Sequence, residues 1–286
     1  MKERIAEATN PNCVQIDFES VLESKIPSVK RKLPKFVISY LKKIFHEDDI
    51  NYIFRTYGHL YGADFAEAIM TDYFKTPMIL KGEENLPSDG RIIFACNHPL
   101  GGLDGIALLS ILGQRYKGMK VPVNDLLMYI DNLKENFIPV NKIQGKGQSK
   151  NISTLINEAC ESDNAILFFP AGVCSRRQKD GNIRDNEWKK TFVTKAKEYQ
   201  RNIVPLHFEG HNSKFFYNLA YYRTKLGVKA NIEMLYLVNE LFKQKGNTFT
   251  ITVGKPIPYT TLDDSKSDKE WAEEIKQQSY SLIKQK

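Results

Sequence analysis

From Thr76 onward the chain alternates short apolar runs with helix-length amphipathic segments, and this alternation constrains its fold more than any other feature. MILKG, RIIFACN, MKVPVN, FIPV, AILFFP, IVPLHFEG and FTITVGKPIP have the length and apolar character of strands. Between them lie four segments with helical spacing. GIALLSILG is closed near Gly113. NDLLMYIDNLKENF repeats Leu126, Ile130, Leu133 and Phe137. SKNISTLINEACES repeats Ile152, Leu155, Ile156, Ala159 and Cys160, and NEWKKTFVTKAKEYQ follows. Strands separated by helices of this length predict an α/β fold, with a mostly parallel central sheet flanked by helices. We assign residues 76–286 to that domain and residues 1–75 to an N-terminal helical subdomain. In the latter, SVKRKLPKFVISYLKKIF places Leu33, Val37, Leu41 and Ile44 on one helical face, with Phe36 and Tyr40 beside it. GADFAEAIMTDYF spaces Phe65, Ile69, Met70 and Tyr73 as a second amphipathic helix.

Composition narrows the partners. Lys and Arg number 41 against 34 Asp and Glu, so the formal net charge is +7. An excess of this sign suits nucleic acid, an anionic membrane or an acidic substrate. No recognised nucleic-acid motif accompanies it, so no nucleic acid partner is expected. No window approaches 18 consecutive apolar residues, which argues against a transmembrane helix. MKERIAEATNPNC lacks the apolar core of a secretory signal. Cys13, Cys96, Cys160 and Cys174 show no CxxC spacing, and they are expected to be reduced thiols, not a disulfide framework or a zinc site.

Ligands of open α/β sheets bind outside the carboxyl ends of the strands. Four loops occupy that position. In NHPLGGLDG, Pro99 holds Asn97 and His98 extended, and Gly101-Gly102 lets the loop fold back. Asp104 can then orient His98 as a general base, or it can cap the following helix while His98 satisfies loop carbonyls. In FPAGVCSRR, Gly172, Ser175, Arg176 and Arg177 suit a phosphate or carboxylate, or form a solvated basic turn. Cys174 has no nucleophile elbow around it and no nearby His. NKIQGKGQSK carries Lys142, Lys146 and Lys150 but lacks the Walker pattern. In IVPLHFEGHNS, His207 is expected to be a satisfied sheet residue, with Glu209 and His211 beyond the strand; their spacing does not support a metal site. KFFYNLAYYRTKLG sets Phe215, Phe216, Tyr217, Tyr221 and Tyr222 beside Arg223 and Lys225, which suits either a core or a membrane interface.

In order and spacing the four loops resemble the motifs of the glycerolipid (PlsC-like, lysophospholipid) acyltransferase superfamily: Asn-His, four residues, Asp; a basic residue after a short strand; FPEGTRS; and an apolar-Pro-apolar strand. Here they are NHPLGGLD, FIPVNK, FPAGVCSRR and IVPLHF. The chain departs from the family in three places. Five residues separate His98 from Asp104, Ala171 stands where glycerol-phosphate enzymes carry Glu, and Lys142 stands where many have Arg. With Trp188 downstream and PLHFEGHNS, the pattern is similar to the hemolysin-like branch, which resembles the O-acyltransferases of ornithine and glycine lipid synthesis.

The resemblance implies acyl transfer without a covalent enzyme intermediate. His98 is the expected base, oriented by Asp104. Asn97, Lys142, Gly172, Ser175, Arg176 and Arg177 are the expected substrate-binding residues, and Arg176 or Arg177 would hold an acceptor carboxylate. The acyl donor is a thioester of acyl carrier protein or coenzyme A, a substrate, and no metal or cofactor is implied. The expected acceptor is a lyso-aminolipid, an N-(3-hydroxyacyl) amino acid. The alternatives are a 1-acylglycerol-3-phosphate acyltransferase, a non-catalytic membrane-surface binding protein, and a thiol hydrolase using Cys174. The basic helix near the N-terminus implies a cytoplasmic protein held peripherally on the anionic inner face of the cell membrane.

Overall fold

The computed structural model describes residues 16–25, 34–140 and 152–284. Four helices come first: α1 (Phe18–Lys25), α2 (Lys35–Ile44), α3 (Glu47–Tyr57) and α4 (Gly62–Ala68), the last running into a π-helical turn over Ile69–Tyr73. Then follow β1 (Met78–Lys81), β2 (Ile92–Cys96), α5 (Leu103–Arg115), β3 (Val121–Val123), β4 (Phe137–Pro139), α6 (Ile152–Glu161) and β5 (Ile166–Phe168). The short hairpin of β6 (Arg176–Arg177) and β7 (Ile183–Arg184) precedes α7 (Thr191–Glu198) and β8 (Asn202–Glu209). The chain ends with α8 (Lys214–Lys225), α9 (Leu237–Phe242), β9 (Phe249–Val253) and α10 (Asp268–Ser281).

The central sheet has the order β1-β9-β8-β2-β5. β2 runs parallel to both β5 and β8, and β1 is parallel to β9, while β9 is antiparallel to β8. The mostly parallel α/β architecture is as expected. β3 and β4 form a parallel pair, and Lys120 bridges Ile166 of β5 in parallel. β2, β5 and β8 therefore deliver the loops that follow them to one end of the sheet; the segment after β4 lies outside the described residues.

Helices cover both faces because the central strands are apolar on both sides. Along β2, Ile92, Phe94 and Cys96 join one core with Phe65, Met70 and Leu108, while Ile93 and Ala95 join a second with Trp188, Phe192 and Ile275. In α5, buried Leu103, Leu108, Leu109 and Leu112 contribute roughly 1.5–3 kcal/mol each. The predicted faces of the N-terminal helices are observed in part: Val37 and Leu41 are half-buried, and Leu33 lies outside the described residues. Phe65, Ile69, Met70 and Tyr73 are buried, Ile44 is buried, and Phe36 is 75% exposed.

One predicted helix is absent. Residues 125–133 form two 3-10 turns, Asp125–Tyr129 and Asp131–Leu133, broken at Ile130 with φ −87° and ψ 85°. The buried Asn132 amide donates to the carbonyls of Gly58 (3.1 Å) and Leu60 (2.6 Å). These long-range bonds and the burial of Leu133 outweigh the helical spacing.

Arg201 is fully buried between the sheet and α6. Its guanidinium donates to the carbonyls of Cys160 (2.9 Å), Asn164 (2.8 Å), Ala159 (3.3 Å) and Ser162. Arg201→Met removes these donors and leaves buried carbonyls unpaired. We expect a loss of about 3–5 kcal/mol, read as the denaturant midpoint.

Candidate active site

The loop after β2 closes around Asp104. His98 Nδ1 lies 3.0 Å from Asp104 Oδ2. The same oxygen accepts the backbone N–H of Leu100 (3.0 Å) and of Gly101 (3.3 Å), while Oδ1 accepts Gly105 N–H (2.9 Å). Asp104 sits in the first turn of α5, where the helix dipole favours a carboxylate. It therefore orients His98 and completes the helix start. The fifth intervening residue is taken up at Gly101, whose φ is +82°. A Cβ there would lie 2.9 Å from Cys174 Cβ, so only glycine fits both the turn and the neighbour.

A second carboxylate holds the main chain of the loop. Asp185 is buried and accepts His98 N–H on both oxygens (3.2 Å each), the Ser175 hydroxyl (2.6 Å) and Trp188 Nε1–H (2.8 Å). Its own N–H donates to the Tyr280 hydroxyl (2.8 Å). Ser175 N–H also donates to the carbonyl of His98 (2.8 Å). Burial raises the Asp185 pKa, although the Ser175 and Trp188 hydrogen bonds oppose the shift. No sequence motif marks Asp185; its one local signal is Trp188, three residues on.

Each expected site residue has a definite place, Lys142 excepted, which lies outside the described residues. Asn97 is buried and fully engaged: Nδ2 donates to Phe208 O (2.9 Å), and Oδ1 accepts Phe208 N–H (2.7 Å). Its amide ties the end of β2 to β8. Gly172 adopts φ +67° in the turn after β5, where Lys189 Nζ approaches it. The two adjacent arginines differ. Arg176 pairs with buried Glu233 (3.1 Å), donates to Cys174 O (2.8 Å) and lies over the Phe216 ring. Glu233 also binds Arg223 Nε (2.8 Å), so the Arg176 charge is compensated inside the protein. Arg177 has no ion pair among the described residues. Ala171 is buried against the core beneath α7.

Cys174 is buried, and burial raises its thiol pKa despite the neighbouring Arg176. His207 is buried as a sheet residue, but it is not satisfied: Nδ1 lacks a partner. Burial, then the Arg184 charge, lowers its pKa to about 4, so it is neutral at pH 7. His211 is exposed beyond β8. Among the described residues no group of three His, Cys, Asp or Glu side chains is placed to hold a metal ion. KFFYNLAYYRTKLG divides between two roles, with Phe216 and Tyr217 in a small core and Phe215, Tyr221 and Tyr222 exposed.

The His98 ring packs on Phe169 at a centroid distance of 4.2 Å. Nε2 has no partner among the described residues, so the imidazole is held on one nitrogen and available on the other. Burial alone would lower the His98 pKa, but the charge and hydrogen bond of Asp104 more than offset it, and the net shift is upward. Burial pushes Asp104 the other way, yet His98 and the loop N–H groups hold its carboxyl below the ordinary range.

The comparisons define the class of protein. The family model described as "Acyltransferase" matches residues 20–286. Of similar solved structures, the 1-acyl-sn-glycerophosphate (LPA) acyltransferase PlsC from Thermotoga maritima superposes with a TM-score of 0.50 at 13% identity. That match covers 88% of this chain and 90% of that one, and establishes the shared fold. The chain belongs to the acyltransferase family and is an enzyme of that class. Within the family, this chain is similar to two curated relatives, each named lyso-glycine lipid O-acyltransferase. One, from Phocaeicola vulgatus, is 46% identical over 99% of this chain and 100% of its own length. The other, from Bacteroides thetaiotaomicron, is 47% identical over 96% and 100%.

The paired shifts set a pH window. The raised His98 pKa gives stability that is complete below the ordinary 6.5 and lost as pH rises through the folded value. The depressed Asp104 pKa gives stability that is complete above the ordinary 3.8 and lost as pH falls through the folded value. An imidazole titration followed by NMR should place His98 above 6.5 and show it falling in Asp104→Asn. An unmoved value would separate the two side chains electrostatically.

Proposed function

We propose that the chain moves a fatty acyl group from an acyl thioester to the hydroxyl of a lyso-aminolipid, an N-(3-hydroxyacyl) amino acid whose amino acid is glycine. The observation that carries this reading is the His98–Asp104 pair, oriented at Nδ1 and open at Nε2, at the carboxyl end of β2. His98 Nε2 takes the hydroxyl proton as the oxygen attacks the thioester carbonyl. The C–O bond forms, the C–S bond breaks, and the departing thiolate takes the proton from the imidazolium. Asp104 stabilises the positive ring throughout. Cys174, buried and with its thiol pKa raised, has no part in the transfer.

The acceptor reading rests on two features. The relatives, at 46% and 47% identity over nearly the whole chain, carry that acceptor in their names. At Ala171 a methyl group occupies the place of the Glu of glycerol-phosphate enzymes, and it is buried, so no carboxylate reaches the site from that position. The donor is a thioester of acyl carrier protein or coenzyme A, and the exposed cations suit either one.

His98→Ala should lower kcat by roughly 10²–10⁴-fold while the protein still folds, with a melting point lowered by the loss of the Asp104 partner. Purified enzyme should acylate N-(3-hydroxyacyl)glycine in preference to lysophosphatidic acid. Full turnover in His98→Ala would remove the mechanism, and preference for lysophosphatidic acid would remove the acceptor assignment.

Membrane contact is the second part of the proposal. Among the described residues no helix is long and apolar enough to cross a bilayer. An aromatic surface joins α2, α8 and the turn at Ile232–Tyr236. Phe36, Tyr40, Phe215, Tyr222 and Leu226 are exposed on it. The Tyr40 and Tyr236 hydroxyls lie 3.2 Å apart, and Phe215 meets the Tyr236 ring at 5.0 Å. Lys35, Lys43 and Lys225 flank the surface, whereas Lys42 is held by Glu19 (3.0 Å). Lys30, Arg31 and Lys32 lie outside the described residues. Such a surface suits the interface of an anionic bilayer. Phe36→Ser and Phe215→Ser should each weaken co-sedimentation with anionic vesicles at low salt by roughly fivefold or more. Unchanged binding would move the contact elsewhere.

A further inference from the structure

The segment after β8 builds a cavity of about 590 Å³ beside the His98 loop, lined by Arg177, His211, Asn212, Lys214 and Tyr217 among others. Two contacts join it to that loop. Asn212 Nδ2 donates to Pro99 O (3.3 Å), and Gly210 abuts the Leu100 side chain. Asn212 is only 2% exposed, and its Oδ1 has no hydrogen-bond partner. The orientation of this amide is fixed by Pro99, whose carbonyl can only accept, so the oxygen is the free end. A buried acceptor left unpaired is costly and is usually explained by a bound donor.

The charges around it have one sign. Arg177 has no ion pair among the described residues, in contrast to Arg176 beside it. Lys214 is the first residue of α8, and it too has no ion pair among the described residues. Among the described residues no acidic side chain lines the cavity. Glu209 and Glu240 lie in an adjoining recess. There the Glu240 carboxylate is occupied by Ser213 N–H (2.5 Å), the Ser213 hydroxyl (2.8 Å) and Lys243 (2.6 Å).

We infer that this cavity is the head-group subsite for the acceptor, with Arg177 and Lys214 holding its carboxylate and Asn212 Oδ1 accepting its amide N–H. The inference rests on the acceptor reading above and adds a basis for selectivity. An N-acyl amino acid carries a carboxylate one carbon from an amide N–H, which matches two cations beside a single buried acceptor. An ester at the amide position has no hydrogen to give and would set its oxygen against Oδ1. A site with an unmet buried polar group rejects the analogue that cannot pair with it. Asn212 and Arg177 are thus specificity residues, whereas His98 performs the proton transfer.

The test uses the full-length enzyme and three synthetic acceptors: N-(3-hydroxyacyl)glycine, its methyl ester, and the 3-hydroxyacyl ester of glycolic acid. Wild type should prefer the first over the methyl ester by about 10-fold or more in kcat/KM. It should prefer the first over the glycolate by roughly 10–100-fold. Arg177→Gln should abolish the first preference and keep the second; Asn212→Ala should do the reverse. Each preference is a ratio measured on one preparation, so a reduced folded fraction cancels. Arg177 lies on a partly exposed hairpin, so that arm survives if Asn212→Ala fails to fold. Wild-type ratios in both variants would overturn the subsite. So would a raised KM for the thioester in Arg177→Gln with an unchanged acceptor preference, since the cavity would then hold a donor phosphate. Failure of the acceptor reading itself would be seen separately, as wild type inactive on N-(3-hydroxyacyl)glycine.

Discussion

Two buried carboxylates hold one loop from opposite sides. Asp104 binds the His98 ring and the N–H groups of Leu100 and Gly101, whereas Asp185 binds the His98 backbone, Ser175 and Trp188. Neither carboxylate is reached by solvent to any extent, so each needs several donors to offset its burial. That requirement organises the surroundings. It explains the positive φ at Gly101 and the place of Ser175 under the loop, and the Tyr280 hydroxyl of α10 steadies the same segment by accepting the Asp185 N–H. The imidazole is left with one nitrogen engaged and one available, which is the property the proposed proton transfer requires.

The sheet supplies the stage on which the loop sits. β2 lies between β5 and β8, and both are parallel to it, so three loops converge where β2 ends. Asn97 joins that end to Phe208 of β8 by two hydrogen bonds, which keeps the loop in register with the segment that carries Asn212. Charge is then sorted by burial. Arg176 is drawn inward and neutralised by Glu233, while Arg177, one residue on, points to the opposite side of its strand and keeps its charge. Of two neighbouring guanidinium groups, one consolidates the packing of α8 and the other has no ion pair among the described residues.

The N-terminal helices were legible where one face is apolar. Phe65, Ile69, Met70 and Tyr73 are buried as their spacing implied. The segment 125–133 was misjudged because Asn132 and Leu133 are claimed by residues some 70 positions earlier, a contact that no local pattern records. The motif position of Asn97 points to ligand binding, but its amide is occupied by the Phe208 backbone. Asp185 has a local partner in Trp188, but the contact that makes it part of the site, with the His98 N–H, spans 87 residues, and Asn212 reaches Pro99 across 113.

The amino-acid sequence by itself determined the α/β class, the strands whose ends build the site, and the His98–Asp104 pair. These follow from apolar periodicity and from residues only six apart, both of which are local. Tertiary structure alone decided which arginine stays free of an ion pair, which carboxylate supports the loop from below, and where a buried amide oxygen is left without a partner. Those outcomes depend on how burial and charge pairing are shared among segments distant in the chain, and burial is a property of the packed molecule, not of any stretch of it.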